Sequence, residues 1–488
     1  MSGVTTLLLA MAVPLAGALL IALSHGRPNQ REAVTLVTAG VMFGLVASLV
    51  PEVLAGGRPA TQPWSILPGL ELRFTLEPLG MLFALVASSL WIVNSMYSIG
   101  YMRSNDEPRQ TSFYVFFAVA LAATLGIAFA GNLFTLFLFY ELLTLSTYPL
   151  VVHKQNAEAL RAGRTYLLLL IGSSIVFFLP AIVWVSWTAG TTTFTLGGVV
   201  SDVMTPDETG WLLALFAIGI GKAAIMPMHR WLPVAMVAPT PVSALLHAVA
   251  VVKAGVFSIV KITVYVIGVE NLARVGSGDW LLYVAGTTVI VASLIALTQD
   301  NLKRRLAYST VSQLSYVVLA AAILTPTSVI AAALHIAAHA FGKITLFFAA
   351  GSIYTAAHKT EVSELDGIGR RMPWTMGAFA VGALSMVGVP PAAGFTSKWY
   401  LASAALAAGQ HFALAVIVLS TLLNAAYFVP IVYAAFLKPE PASGHGHAHG
   451  EAPWPMVLAL VTTAAGTMLL FLVPNLPLAL ARQLAGLS

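Results

Sequence analysis

Residues 211–267 read WLLALFAIGIGKAAIMPMHRWLPVAMVAPTPVSALLHAVAVVKAGVFSIVKITVYVI, two apolar runs joined by a short polar turn. An α-helix needs about 20 residues to cross the roughly 30 Å hydrocarbon core of a bilayer. Both runs approach or exceed that length, although Lys222, Lys253 and Lys261 lie within them. A charge at mid-membrane costs at least about 2.5–3.5 kcal/mol on insertion scales. The stretch therefore predicts two membrane helices that carry functional ionisable groups.

The whole 488-residue chain shares this composition. It is 58% hydrophobic and 9% charged, whereas an ordinary soluble domain is about 25% charged. Its mean hydropathy of +0.87 arises along the full length, which excludes a soluble globular protein. Apolar runs of helical length begin near residues 4, 33, 76, 111, 132, 165, 211, 241, 280, 306, 328, 374, 411 and 454. Because they do not alternate as barrel strands do, we expect an all-α polytopic membrane protein with about 14 transmembrane helices.

Lysine and arginine separate sharply between alternate loops. The loops after odd-numbered predicted helices hold fifteen, whereas the loops after even-numbered helices and the C-terminal tail hold four. The positive-inside rule then predicts a multi-pass protein of a bacterial inner (plasma) membrane with both termini outside the cytoplasm. The first run, Val4 to Leu23, lacks a basic flank and a cleavage site, so we expect a retained helix. The net charge of +5 reflects topology and not a nucleic-acid partner.

Five lysines and one acid remain inside the predicted helices: Lys222, Lys253, Lys261, Lys343, Lys398 and Glu141. Glu141 follows Asn132 by nine residues and Lys222 follows Trp211 by eleven, which places both near the membrane centre. One interpretation of this pair is a structural salt bridge. The interpretation that we favour is a proton site, in which Glu141 keeps Lys222 charged and a change in their separation releases a proton.

The eighth predicted helix carries three further polar groups. His247 and Lys253 are six residues apart, so we expect them on different sides of the helix, each facing a different neighbour. Lys261 lies nearer the outer end, and we expect its long side chain to extend to the membrane interface.

His335, His339 and Lys343 in LHIAAHAFGKITLFF are spaced by four residues and therefore share one helical face. Two histidines at this spacing also suit a metal ion, but no Cys, Asp or Glu lies near in the sequence to complete the site. Hydrogen bonding of two buried histidines is the other alternative. The aligned lysine favours a water-lined proton relay, because histidine titrates near neutral pH.

Two of the predicted helices contain breaks close to a lysine. Lys398 follows GVPPAAG, whose glycines and prolines (Gly388, Pro390, Pro391 and Gly394) should interrupt the twelfth helix. Pro227 and Pro233 should interrupt the seventh helix after Lys222. Broken helices at membrane depth are a recurring device for ion sites.

The chain has no cysteine, so any redox cofactor must lie on another chain, and we expect neither a cofactor nor a resident metal here. The GHGHAHG run with His445, His447 and His449 is typical of a solvated linker, with weak metal binding as the alternative. The sequence shows no paired carboxylates or nucleophile arrangement that would indicate a membrane-embedded enzyme.

Several segments occur together in a characteristic order: FYELLTLSTYPLV, GIGKAAIMPMHRWLPVAMVAPTPVSALLHAVAVVKAGVF, DNLKRRLAYSTVSQLSY, HIAAHAFGKITLFFAAGS and GVPPAAGFTSKWYL. Combined, they resemble the antiporter-like family shared by Mrp-type sodium/proton antiporters and the proton-pumping membrane arm of respiratory complex I. The similarity covers roughly residues 75–437.

This resemblance implies two inverted five-helix repeats, formed by helices 4–8 and 9–13. The chain would then consist of N-terminal helices 1–3 (residues 1–110), a first repeat (111–270), a second repeat (271–437), and a His-containing loop with helix 14 (438–488). It also implies a proton path with a glutamate–lysine pair, central connecting residues, a link between half-channels and a terminal lysine. The matching residues, in that order, are Glu141 with Lys222, Lys253 with His247, then His335, His339 and Lys343, and finally Lys398.

Within the family, Lys398 and the combination of His247 with Lys253 favour an Mrp D-like subunit. Its partners would be other membrane subunits of a hetero-oligomeric assembly, the lipid bilayer, H+ and Na+. The alternatives are a proton-pumping subunit of a complex I-like NADH:quinone oxidoreductase, or of a related hydrogenase or bicarbonate-uptake complex. Only the complex I-like assembly would make the chain part of an enzyme. A non-conducting membrane scaffold is the alternative of another class.

Overall fold

The computed structural model describes residues 2–67, 70–440 and 450–487, and within them the chain is almost entirely helical. A short antiparallel hairpin, β1 (Trp64–Leu67) and β2 (Leu70–Leu72), lies between α3 and α4. The first ten helices are α1 (Gly3–Leu23), α2 (Pro28–Ser48), α3 (Val50–Leu54), α4 (Pro78–Ser104), α5 (Gln110–Ala128), α6 (Leu133–Val151), α7 (Ala157–Ser173), α8 (Leu179–Ala189), α9 (Pro206–Gly219) and α10 (Trp231–Val234).

The remaining helices continue the bundle. They are α11 (Thr240–Ala244), α12 (Val251–Ile262), α13 (Val269–Val275), α14 (Asp279–Thr298), α15 (Leu302–Ile323), α16 (Pro326–Ala357), α17 (Pro373–Val387), α18 (Ala393–Ala407), α19 (His411–Leu437), α20 (Trp454–Leu472) and α21 (Asn475–Leu484). The π turn Ser174–Phe178 joins α7 to α8, and the π turn Leu245–Val249 joins α11 to α12. Each pair therefore forms one longer rod.

Twelve helical segments of the described chain are long and apolar enough to cross a membrane. They confirm the prediction of an all-helical, multi-pass membrane protein. The seventh and twelfth predicted helices are not among the twelve, because each is interrupted. The seventh consists of α9 followed by short turns as far as 237, and the twelfth consists of α17 and α18. The total of fourteen helices and the inverted repeats stay predictions.

Each break has a local cause in the sequence. After α9, Pro227 and Pro233 lack the amide donors that a continuing helix needs. Gly388 ends α17 with a φ of 87°, the left-handed conformation that favours glycine at a helix C-terminus. At Gly394, a Cβ atom would lie 1.7 Å from the carbonyl oxygen of Ser385, so only glycine permits this approach of α18 to α17.

The helices that carry the internal lysines lie at the centre of the bundle. The rod Thr240–Ile267 is buried on all sides, and α16 is a single unbroken helix of 32 residues that is buried over most of its length. In contrast, α1 and α2 expose much of their apolar surface, as expected of helices that face lipid. Charge is thus kept away from the lipid-facing helices and concentrated in the interior.

Two elements were missed by the sequence analysis. One is the hairpin, and the other is α21, a ten-residue helix too short to count as a membrane span. It buries Pro477, Leu480 and Leu484 against the bundle and exposes Arg482, which is the pattern of an amphipathic surface helix. The histidine run His445, His447 and His449 lies outside the described residues.

His153 lies in the loop between α6 and α7, and its side chain is buried. Its Nε2 atom is 3.8 Å from Oε2 of Glu107, and the Arg109 guanidinium donates to its backbone carbonyl. Burial, reinforced by the charge of Arg109, lowers the pKa of His153 to about 4. The imidazole is therefore neutral at pH 7, and its contact with Glu107 is not an ion pair at that pH.

This pKa predicts a pH-dependent stability. Between the ordinary pKa of a histidine, about 6.5, and the folded value of about 4, the unfolded state binds more protons than the folded state. The contribution of His153 is therefore fully present above about pH 6.5 and is lost as the pH falls towards 4. We expect His153→Gln to show a smaller drop in melting temperature between pH 7 and pH 5 than the unmodified protein.

His411→Gln is the matched control, because His411 is exposed at the start of α19. Comparing variants at each pH cancels the contribution of Glu107, whose pKa is raised by burial. Equal pH dependence in His153→Gln and the unmodified protein would contradict the prediction.

Candidate functional site

Lys222 occupies the turn Gly221–Ala223 that follows the end of α9, and its side chain is completely buried. Its ammonium donates to the backbone carbonyl of Tyr140, at 2.8 Å, and to the Thr144 hydroxyl. It also lies 3.2 Å from the centre of the Tyr140 ring, a cation–π contact. Three groups of α6 thus hold this charge.

Glu141 is adjacent to Tyr140 but does not form the direct contact with Lys222 that a salt bridge requires. Among the described residues it makes no ion pair, and its buried Oε1 atom has no hydrogen-bond partner. Thr144 lies three residues further along α6 and takes the lysine instead. The two charges therefore lie on neighbouring positions of the site without closing on each other.

Lys253 on α12 contacts His339 on α16, its Nζ atom against Nδ1 of the imidazole. Both side chains are buried. An ammonium has only donors, so Nδ1 accepts when Lys253 is charged, and the histidine is then neutral with its proton on Nε2. This contact joins the two central helices through a pair of titratable groups.

His247 stacks against Phe347 of α16, with ring centres 4.7 Å apart, and neither of its buried ring nitrogens has a hydrogen-bond partner in the described chain. We expected His247 and Lys253 to face different neighbours, and this expectation was wrong, since both contact α16. The reason is the π turn Leu245–Val249, which disrupts the regular angular spacing on which that expectation rested.

The predicted stripe on α16 lies on one continuous helix that faces the protein interior. His335 Nδ1 is 2.9 Å from the Ser397 hydroxyl of α18, and its ring stacks on that of His339, with centres 6.1 Å apart. Lys343, further along, donates to the Ser309 hydroxyl at 2.7 Å and to the Leu306 carbonyl at 3.2 Å. The stripe therefore reaches α12, α15 and α18 in turn.

Lys398 on α18 donates to the carbonyls of Met386 and Val387, at 2.9 and 3.0 Å. These carbonyls end α17, where the break leaves the last C=O groups without a helical amide to bind. A cation is also favoured at this negative end of the helix dipole. The broken twelfth helix thus creates the acceptors that hold its own lysine.

Lys261 corrects two of our expectations. Its side chain is 0% exposed and does not extend to the interface, because the rod that carries it is buried on all sides. Its ammonium lies 3.0 Å from Oε2 of Glu77, at the start of α4, and donates to the Ala130 carbonyl at 2.7 Å. Glu141 is therefore not the sole acid in the bundle interior. Burial raises the pKa of Glu77, and the charge of Lys261 opposes that rise.

We expect Lys261→Met to destabilise the protein by about 3–5 kcal/mol, because it leaves the Glu77 carboxylate buried without its partner. The double variant Lys261→Met/Glu77→Gln removes both charges and should recover most of the loss. Lys438→Met is the matched control, since Lys438 pairs with Asp366 at the surface, where such pairs contribute about 1 kcal/mol or less. Thermal unfolding in detergent checks this, and a single variant as stable as the unmodified protein would refute it.

The sequence analysis missed six buried polar residues on α15 and α19 that line the second half of the site: Ser309, Gln313, Tyr316, Ser420, Asn424 and Tyr427. Their signal was present in the sequence, because in each helix they recur at positions that share one face. Uncharged polar residues are common in membrane helices, and for that reason charge alone guided the search.

Comparison with known proteins gives a family for this arrangement. A family model described as NADH:quinone oxidoreductase/Mrp antiporter, TM, matches residues 130–424. The N subunit of the NADH-quinone oxidoreductase of Desulforudis audaxviator is 33% identical, and the match covers 89% of this chain and 91% of that protein. A probable K+/H+ antiporter of Rhizobium meliloti contains a related protein that is 32% identical over 79% of this chain, but the match covers only 38% of that longer protein.

Solved structures show the same fold. A chain of the Mrp complex from Dietzia sp. superposes with a TM-score of 0.86 at 22% identity, covering 100% of this chain and 97% of that one. A chain of an archaeal membrane-bound sulfane sulfur reductase gives 0.85 at 24% identity, covering 99% and 97%. The chain belongs to the transmembrane family of NADH:quinone oxidoreductase and Mrp antiporter subunits, and it is an antiporter-like membrane subunit.

Proposed function

We propose that this chain is the proton-translocating subunit of a multisubunit cation/proton antiporter, of the Mrp D-like kind. The observation that carries the proposal is the row of completely buried cations in the bundle interior, each held by hydroxyls, carbonyls or an imidazole and not by a tight carboxylate pair. A cation held by neutral acceptors can lose its proton without leaving an unpaired carboxylate in the protein interior.

The proposed path begins at Glu141 and Lys222, and the packing of α12 supports the next step. A Cβ atom on Gly255 would lie 2.2 Å from the backbone nitrogen of Ala223, so α12 lies directly against the turn that holds Lys222. Two residues before Gly255, Lys253 contacts His339, and His247 lies on the same rod as a connecting group.

From His339 the path continues along α16. His335 stacks on His339 and reaches Ser397, the residue before Lys398. Lys343 lies one helical turn from His339 in the other direction along α16. Histidine suits such a link, because its proton exchange falls near neutral pH. Lys398 is the terminal group of the path.

In this proposal both termini lie outside the cytoplasm of a bacterial inner membrane, as the distribution of lysine and arginine among the loops favours. Sodium export would be driven by proton influx, with sodium handled largely by other subunits. The second buried acid, Glu77, does not supply a sodium site, since Lys261 neutralises it.

One observation favours a second candidate, the proton-pumping membrane subunit of a complex I-like oxidoreductase. The Desulforudis relative is named as such a subunit, and the match covers 91% of its length. Vesicles that contain the whole assembly distinguish the two candidates. A pH change driven by a sodium gradient supports the antiporter, whereas a pH change that requires electron transfer to quinone supports the pump.

Replacing either terminal cation tests the path itself. We expect Lys222→Ala and Lys398→Ala each to lower proton-coupled transport by about a hundredfold, the scale of losing a positioned proton-transfer group. Lys438→Ala, in a surface pair with Asp366, should transport normally. The measurement is the quenching of a pH-sensitive dye in vesicles that contain equal amounts of assembled complex. Unimpaired transport in both path variants would remove these lysines from the path.

The close approach at Gly255 gives a separate prediction. In Gly255→Ala the added methyl group displaces the Lys222 turn, and we expect transport to fall by about a hundredfold, since an ångström of misplacement has effects of that order. The control is Gly377→Ala on α17, where a Cβ atom meets nothing within 4 Å. Should both variants transport alike in the same assay, the packing of α12 on the Lys222 turn does not matter for transport.

A further inference from the structure

A stripe of polar side chains runs along one face of α15. Ser309, Gln313 and Tyr316 stand at positions i, i+4 and i+7 of this helix, the spacing that keeps side chains on one face. All three are 0% exposed. Buried polar groups of this kind need hydrogen-bond partners, and the partners lie on α19.

The facing stripe on α19 consists of Ser420, Asn424 and Tyr427, which have the same spacing in reverse order. These side chains are also fully buried. Three rungs join the two stripes, and together we call them the α15–α19 ladder. The rungs are Tyr427 Oη to Ser309 Oγ at 3.0 Å, Gln313 Nε2 to Asn424 Oδ1 at 3.2 Å, and the paired hydroxyls of Tyr316 and Ser420.

One end of the ladder contacts Lys343. The lysine ammonium donates to Ser309 Oγ at 2.7 Å, and the same oxygen faces the Tyr427 hydroxyl. The first rung is therefore in direct contact with a cation of the proposed proton path.

The other end reaches Lys398. Gln313 Nε2 donates to the Met386 carbonyl at 3.3 Å, and the Lys398 ammonium donates to the same carbonyl at 2.9 Å. Lys398 also lies 4.7 Å from the centre of the Tyr316 ring. Two path lysines are thus joined by an unbroken chain of hydrogen bonds that does not pass through the histidines.

This chain has a central ambiguity at Tyr427. Its hydroxyl carries one proton but faces two acceptors, Ser309 Oγ and Asn424 Oδ1. It can donate to only one of them at a time. The amide of Gln313 does not readily take up and release protons, so the ladder cannot itself conduct them.

We propose that the α15–α19 ladder couples the charge states of Lys343 and Lys398, with Tyr427 as the positioning residue whose hydroxyl direction carries the coupling. This inference rests on the proposed proton path and adds to it a link between two of its lysines. No covalent bond changes in the ladder, because only hydrogen-bond directions reverse.

When Lys343 is charged, its ammonium donates to Ser309, and Tyr427 donates to Asn424. When Lys343 is neutral, its amine can accept the Ser309 proton, and Ser309 then accepts from Tyr427. Asn424 Oδ1 is left to Gln313 alone, which draws this amide away from the Met386 carbonyl. That carbonyl is then freer to hold a charged Lys398, so loss of the proton from Lys343 favours a charge on Lys398.

Two other titratable groups face the ladder. The Arg305 guanidinium donates to the Tyr427 backbone carbonyl at 3.2 Å, and the His335 ring lies 5.5 Å from that of Tyr316. The arginine contact involves the backbone and is retained when the Tyr427 hydroxyl is removed. A change caused by removing that hydroxyl therefore reports on the ladder.

The test uses the whole assembly in vesicles. Tyr427→Phe keeps the ring and removes the hydroxyl, and we expect transport to fall about fivefold to tenfold, the scale of one hydrogen bond. The pH at half-maximal rate should move by roughly half to one unit. Tyr433→Phe is the control, because Tyr433 lies on the same helix with its side chain exposed, and neither quantity should change.

Ser309→Ala provides a second variant in case Tyr427→Phe does not assemble, and it should show the same loss and the same pH shift. Because both variants break one ladder, the double variant should lose no more than either single variant. Unchanged rates and pH profiles, or losses that multiply, would overturn the inference. Lys343→Met separates the two proposals. If it abolishes transport while the ladder variants behave normally, only the coupling fails, and if it transports normally, the path fails.

Discussion

The structure depends on one constraint: a cation placed far from water needs several acceptors around it. The bundle meets this requirement mainly with neutral groups. A threonine hydroxyl and a carbonyl hold Lys222, an imidazole contacts Lys253, a serine and a carbonyl hold Lys343, and two carbonyls hold Lys398. Neutral acceptors stabilise the charge without neutralising it, which leaves each group free to change its protonation state.

The broken helices follow from the same constraint. A regular helix uses its carbonyls internally, so an interior cation finds free acceptors where a helix stops. The end of α17 supplies such carbonyls to Lys398. Glu77 and Lys261 show the opposite solution, in which a carboxylate pairs directly with an ammonium. That pair holds α4 against the central rod and is suited to stability more than to exchange.

Much of this could be predicted from the sequence, because charge in an apolar run is a strong signal. The internal lysines, the histidine stripe and both helix breaks were visible without coordinates. The partners of these groups were not, since they come from other helices. Thr144 in place of Glu141 beside Lys222, and Glu77 beside Lys261, depend on how helices pack. His247 was misplaced because a π turn interrupts regular helical spacing.

The unbroken length of α16 has a mechanical consequence. Its 32 residues extend about 48 Å at 1.5 Å per residue, well beyond the roughly 30 Å thickness of the hydrocarbon layer. The helix must lean or protrude, and it behaves as a stiff lever. A push on either end by a neighbouring protein of the assembly would shift His335, His339 and Lys343 in unison, and a distant movement would reach all three contacts at the same moment.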